Sequence, residues 1–226
     1  MPRFLRARTV EEKQLRRQAI LVAARKLARE VGPIELGLNE LGRRSGVSKP
    51  NIYRYFESRE EILLRLLIAE LDDALPELET ELLACAPTVR AVAPCLARTF
   101  LSRPLACQLL GMVGSILEHN LSADAIASCK LELYALIGRA GTALVTALPW
   151  LSVADAVWAA QNIALYVSAL WPAAHPSKTA AEALTRPELA GMKTDAPREL
   201  GRFVEVVLAG LESLRPPARK SPTRSR

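Results

Sequence analysis

Apolar positions along the chain recur with the helical period, and most breakers fall between the periodic runs. The first run starts near Thr9, where Thr9 and Glu12 have capping-box spacing. It carries Leu15, Ala19, Val22, Ala23 and Leu27 on one face, and Gly32-Pro33 ends it. A short second helix is predicted over Leu38 to Ser45, with Leu38, Leu41 and Gly42 inward. Gly46 makes the turn and Val47 plugs the space beneath it. Ser48 is placed to cap a third helix, Lys49 to Tyr55, whose first turn tolerates Pro50 because its amide has no helical partner. Ser58 and Glu61 form a second capping pair at the head of a long helix bearing Ile62, Leu63, Leu66, Leu67, Leu71 and Leu75. Pro76 then predicts a kink or break near Asp73–Leu75, with helix resuming to about Cys85.

Five further stretches complete the pattern. Helices are expected over Thr88 to Leu101 and over Arg103 to His119, the second capped by Ser102. Others are expected over Ala123 to Ala147, capped by Ser122, and over Val153 to Trp171, capped by Ser152 and ended by Pro172. A loop of about 23 residues precedes a last helix, Pro197 to Leu214. No alternation with a period of two persists, so the fold class is all-α. The expected domains are a helix-turn-helix head over 1–65, a helical body over 66–214 and a disordered basic tail over 215–226.

Charge sharpens this division. Residues 1–66 hold 15 Lys/Arg against 8 Asp/Glu, residues 67–214 hold 10 against 16, and residues 215–226 hold 5 against none. A basic head on an acidic body suits a molecule that meets a polyanion with one end. Arg3, Arg6 and Arg8 lead into a polar helix, which is unlike a secretory leader and predicts a cytoplasmic protein. The most apolar stretch, Ala156 to Trp171, reads as too short for a bilayer and contains Gln161 and Asn162, so no membrane partner is expected. Cys85, Cys95, Cys107 and Cys129 make no C-x-x-C pair and read as small hydrophobes within helices. His119 and His175 are too few for a metal site, and no phosphate loop or nucleophile elbow is present. No cofactor, metal or enzymatic activity is expected.

The chemistry lies in the second and third helices. Lys49 and Asn51 project donors from the first turn of a helix small enough for a major groove, where Lys pairs with guanine and Asn with adenine. Tyr53, Arg54, Tyr55 and Arg59 supply phosphate donors beside them, and helix N-termini add their dipoles. In the body, the helix Val153–Trp171 is apolar nearly all round, which implies burial on more than one side. One face, Ala156, Ala160, Ile163, Ala164 and Val167, could pack against a second copy of the chain or be the second buried side of a central helix in a single-chain bundle, and periodicity alone does not choose. Phe203, Val204, Val207 and Leu211 of the last helix would complete that four-helix interface. Another face carries Trp158, Asn162 and Leu165, with Asp155 and Tyr166 beside it. With Leu109, Met112, Ile116, Tyr134 and Ile137 it is expected to line a pocket for an unidentified, neutral or weakly acidic, hydrophobic molecule. A DNA-binding protein of architectural type, without a ligand, is the alternative.

The run Glu40-Leu41-Gly42…Gly46-Val47-Ser48-Lys49…Ile52-Tyr53-Arg54-Tyr55-Phe56…Ser58-Arg59-Glu60-Glu61-Ile62-Leu63 resembles the TetR/AcrR family of bacterial transcriptional regulators. The resemblance is specific over about residues 15–65 and general over the body. It implies a homodimeric repressor on a palindromic double-stranded operator, whose body binds a small molecule and dimerises through its last two long helices. By position it assigns Tyr53, Tyr55 and Arg59 to phosphates. It matches Lys49, Pro50 and Asn51 to the base-facing part of the recognition helix and Asn39 to a position that can reach a base edge, and Ser48 and Arg54 of the same segment join the candidate DNA contacts. The sequence departs at Gly37, where the family usually has a threonine that caps the second helix and contacts phosphate.

Overall fold

The structure, a computed structural model, describes residues 10–215, and every regular element among them is helical. The Thr9 cap and the tail from residue 216 lie outside the described residues. Helices α1 (Val10–Val31), α2 (Leu38–Ser45) and α3 (Lys49–Ile52) form the head. The body holds α4 (Arg59–Ala84), α5 (Val89–Leu101), α6 (Pro104–Met112), α7 (Ala123–Ala147), α8 (Val153–Ala174), α9 (Lys178–Ala183) and α10 (Ala196–Ser213).

In the head, the predicted turn is present for two separable reasons. Gly46 has φ 67°, a left-handed conformation that costs glycine little and other residues more. Gly42 is needed for space, because a Cβ there would lie 2.8 Å from the Val47 carbonyl oxygen. The buried face of α1 is Ile20, Ala23, Ala24, Leu27 and Ala28, which keeps Ala23 and Leu27 of the expected face. Leu15 and Val22 are exposed, because the alanine-rich helix offers two overlapping apolar stripes and periodicity alone does not choose between them. Helix α3 is shorter than expected. Arg54 and Tyr55 donate to carbonyls three residues back, 3.1 and 2.9 Å away, so Tyr53–Tyr55 form a tightened turn.

Helix α4 passes through Pro76 without the expected break. An interior proline costs about 3 kcal/mol. Burying Leu75, Leu78 and Leu82 against the body core returns about 1.5–3 kcal/mol each. Helix α8 likewise continues through Pro172 to Ala174 and, at 22 residues, is long and apolar enough to cross a membrane, contrary to the length expected. Here it packs on α6, α7 and α10 as a bundle helix, with Ala156, Ala159, Ile163 and Val167 buried.

Capping follows the sequence closely in the body. The hydroxyls of Ser58, Thr88, Ser122 and Ser152 accept from first-turn amides. Ser48 and Ser102 do not cap: α3 has no side-chain cap, and Ser102 donates instead to the Thr99 carbonyl, 2.8 Å away. Helix α6 therefore starts uncapped at Arg103, and it ends in a π-helical turn, Val113–Leu117. The long connection after α8 holds the exposed α9 and a 3-10 turn, Pro187–Met192.

Two apolar cores result. One joins α1, α2, α3 and the first half of α4 to Leu105, Leu109, Met112, Leu117 and Cys129. The other fills the body between α4, α5, α7, α8 and α10. Cys95, Cys107 and Cys129 are buried, whereas Cys85 ends α4 and is half-buried. Burial pushes the Cys95 and Cys107 thiols up to about 12, as fits packing residues.

Candidate DNA interface and body cavity

The exposed end of the head is built from the turn outward. Ser48, Lys49 and Pro50 are exposed at the start of α3, and Asn51 is half-buried beside them. Tyr53 is 50% exposed and Arg54 is exposed. Asn39 stands exposed in the first turn of α2. Beneath this surface, Ile52 and Phe56 are buried in the head core, and Tyr55 packs partly against it. The side chains that reach outward are thus mounted on ones that are fixed.

Electrostatics fix the frame around α3. Glu40 binds Arg43 at 2.7 Å and Arg44 at 2.7 Å, and Arg44 reaches Glu30 of α1 at 2.6 Å. The hydrogen bonds from Arg43 and then Arg44 hold the Glu40 carboxyl down at about 2. Arg17 donates to the Tyr55 carbonyl, lies 4.4 Å over the Phe56 ring and meets Glu61 at 3.4 Å. Arg59 is already engaged: its Nη1 donates to the Ile34 carbonyl at 2.9 Å and its Nε to Glu60 at 3.3 Å. Gly37 stands at the start of α2 with no side-chain cap.

The head is also tied to the body through Glu57, which the sequence reading did not single out. Its carboxylate accepts from the Ser122 amide at 2.9 Å and the Ser122 hydroxyl at 2.8 Å, at the start of α7. These bonds, the backbone one first, hold the Glu57 carboxyl below its ordinary value. Nearby, Arg65 links α4 to α7, meeting Glu132 and, at 3.1 Å, the Ser128 hydroxyl. Buried Glu70 joins α4 to Arg25 at 2.7 Å and Arg29 at 3.1 Å of α1.

Inside the body, a cavity of about 690 Å³ opens between α4, α5, α6, α7 and α8. Of the residues expected there, Tyr134, Ile137 and Leu165 line it. Leu109, Met112 and Ile116 do not, because they face the head core. The i, i+4, i+7 set that faces the cavity from α6 and the turn after it is Ala106, Leu110 and Val113. Trp158 is 51% exposed on the outside of α8. Asn162 donates one amide proton to the Trp158 carbonyl, 2.8 Å away, and does not line the cavity. Tyr166 stacks on Phe203 with centroids 3.9 Å apart, outside the cavity.

The faces of α8 are therefore exchanged relative to expectation. Ala160, Ile163 and Ala164 line the cavity, and Ala156 and Val167 are buried in the chain's own core. On α10, Val204 is fully buried, while Phe203, Val207 and Leu211 pack partly against the body core. Trp158 of α8 and Val206 of α10, each more than half exposed, are apolar groups of this pair that do not line the cavity, whereas the exposed Leu165 does. An all-round apolar helix gives periodicity no phase, so only the packing decides which face turns in.

Comparison with known proteins places the chain. Residues 20–66 match the family described as bacterial regulatory proteins, tetR family. Residues 65–215 match the tetracyclin repressor-like C-terminal domain. Uncharacterized HTH-type transcriptional regulators from two strains of Mycobacterium tuberculosis are 32% identical over 110 residues, covering 43% of this chain and 53% of theirs. The chain thus spans about half the length of the curated relatives it matches. A TetR transcriptional regulator from Rhodococcus shares the fold with TM-score 0.59 at 16% identity, covering 88% of this chain and 99% of that one. A TetR variant from Acinetobacter baumannii, solved with minocycline, has TM-score 0.52 at 18% identity over 92% of this chain and 99% of its own. The fatty acid degradation regulator FadR from Bacillus halodurans has TM-score 0.50 at 14% identity, covering 84% of this chain and 94% of that one. With its head and body both matched, the chain belongs to the tetR family of bacterial regulatory proteins.

Proposed function

We propose that the chain is a sequence-specific transcriptional repressor that binds a palindromic operator as a homodimer and is released from it by a hydrophobic small molecule. The observation that carries the reading is the double role of α6. Leu105, Leu109 and Met112 are buried in the head core, while Ala106 and Leu110 line the cavity. A ligand that moves α6 moves the seat of the head, and through Glu57 and Ser122 it also reaches the end of α3. A ligand acts only through its differential affinity for the DNA-competent and released states. A coupling of about 1–3 kcal/mol changes operator affinity about 5- to 150-fold.

One recognition helix per chain reads few base pairs, which favours two chains on half-sites about 34–36 Å apart or a multiple of it. The revised dimer face is the outer side of α8 and α10, where Trp158, Val206 and the Tyr166–Phe203 stack leave apolar area uncovered. Among neighbours of this fold, one was solved with minocycline, which supports a body that takes a small molecule. The test is footprinting of the DNA flanking the chain's own gene, with sedimentation of the complex. The proposal expects a two-fold footprint occupied by two chains. A short asymmetric site held tightly by one chain would overturn it, and a footprint no ligand perturbs would favour an architectural role.

A further inference from the structure

We propose that the cavity selects an apolar molecule carrying one carboxylate, and that Arg103 reads that carboxylate by exchanging it for Glu77. The inference rests on the reading above that the cavity is the effector site. The walls are aliphatic and aromatic, from Leu71 on α4 to Leu144 on α7 and Ile163 on α8. Three charged side chains border them: Arg103, Glu118 and Lys130. Glu118 and Lys130 pair with each other at 2.6 Å, so their charges cancel at that rim. Arg103 is different. Its partner, Glu77 at 2.5 Å, lies outside the cavity, in a separate polar groove of about 610 Å³ between α1, α4 and α6. Arg103 borders both spaces, whereas Glu77 borders only the groove.

The remaining geometry agrees with an anion at that point. The bond to Glu77 uses one terminal nitrogen of Arg103, and a guanidinium carries five donors in a planar fork suited to carboxylates. Helix α6 follows Arg103 with no side-chain cap, and its first turn lies between the two spaces, Pro104 and Leu105 bordering the groove and Ala106 the cavity, so the positive end of its dipole sits beside Arg103. Of the uncharged polar side chains there, Thr99, Tyr134, Gln161 and Ser168, Thr99 and Ser168 spend their hydroxyl protons on the Cys95 and Leu165 carbonyls, at 3.1 and 2.7 Å. Glu77 directly follows Pro76 on α4, and Arg103 directly precedes α6. Capture of Arg103 by a ligand therefore cuts an ion pair joining α4, which carries the head, to the corner from which α6 departs.

The experiment is calorimetric titration of the full chain with decanoate, 1-decanol and decyltrimethylammonium below their micellar concentrations. Wild type, R103Q and E77Q are compared, and circular dichroism confirms folding. Decanoate should bind about tenfold or more tightly than decanol, and the cation most weakly. R103Q should equalise decanoate and decanol, whereas E77Q should tighten decanoate by freeing the guanidinium. A merely structural ion pair predicts that both variants shift affinity in the same direction. That outcome, equal binding of decanoate and decanol to wild type, or an unchanged preference in R103Q overturns the carboxylate inference and leaves the cavity as effector site intact. No binding of any of the three amphiphiles overturns both.

Discussion

Gly42→Ala is the sharpest single-methyl perturbation of the head. In an ordinary helix interior the change stabilises by about 1 kcal/mol through helix propensity. Here the new Cβ would lie 2.8 Å from the Val47 carbonyl oxygen and 3.4 Å from the Lys49 amide nitrogen. Both are backbone atoms, so neither can rotate aside. Overpacking of this kind costs about 1–3 kcal/mol. The net effect is a destabilisation of about 0–2 kcal/mol, which lowers the melting temperature by up to about 8 °C for a chain of this size. Gly138→Ala in α7 is the control, because a Cβ there meets nothing within 4 Å. It should raise the melting temperature by about 2–4 °C. Relief of the clash moves the turn that aims Lys49 and Asn51, so operator affinity should fall about tenfold or more as a base contact is lost. Calorimetric melting and fluorescence anisotropy read the two effects. If Gly42→Ala stabilises as Gly138→Ala does and binds operator unchanged, the close approach does not set the aim of α3.

Other expectations are as direct. Val206→Glu alters a residue 63% exposed in the single chain, so it should leave the fold intact and yield monomers in sedimentation; an intact dimer places the interface elsewhere. Glu70→Gln removes the shared partner of Arg25 and Arg29 and should cost about 1–3 kcal/mol in urea unfolding, the buried charge being replaced by a weaker acceptor. The Glu40 carboxyl is held at about 2 against 4.5, so its contribution to stability is full above 4.5 and lost as pH falls toward 2. Wild type and Glu40→Gln should therefore differ in urea midpoint at pH 6 and converge near pH 2.

Sequence and structure agree where local chemistry is decisive. Gly46 between two short periodic runs, and serine or threonine before a periodic run, mark positions that few other residues fill equally well. They part where a choice depends on the rest of the fold. Pro76 signals a break, yet the leucines around it gain more from the core than the helix loses. Helices α6 and α8 are apolar on more than one face, so their sequences do not say which face meets the head, the cavity or the surface. That is why Leu109 and Met112 lie beneath the head, and why Ala160 and Ile163 lie in the cavity. Arg103 was invisible as a ligand contact for a related reason: one arginine before a proline carries no pattern until α4 brings Glu77 beside it.

The central claim is that the first turn of α3 reads bases while its neighbours hold the backbone. Affinity of wild type and Asn51→Ala for the operator, each of its single-base variants and random DNA tests this most directly. Asn51→Ala should lose about 1–3 kcal/mol on the operator and lose discrimination at one base pair in each half-site, leaving random DNA unaffected. Equal weakening on operator and random DNA would assign Asn51 to the phosphate backbone and contradict the account.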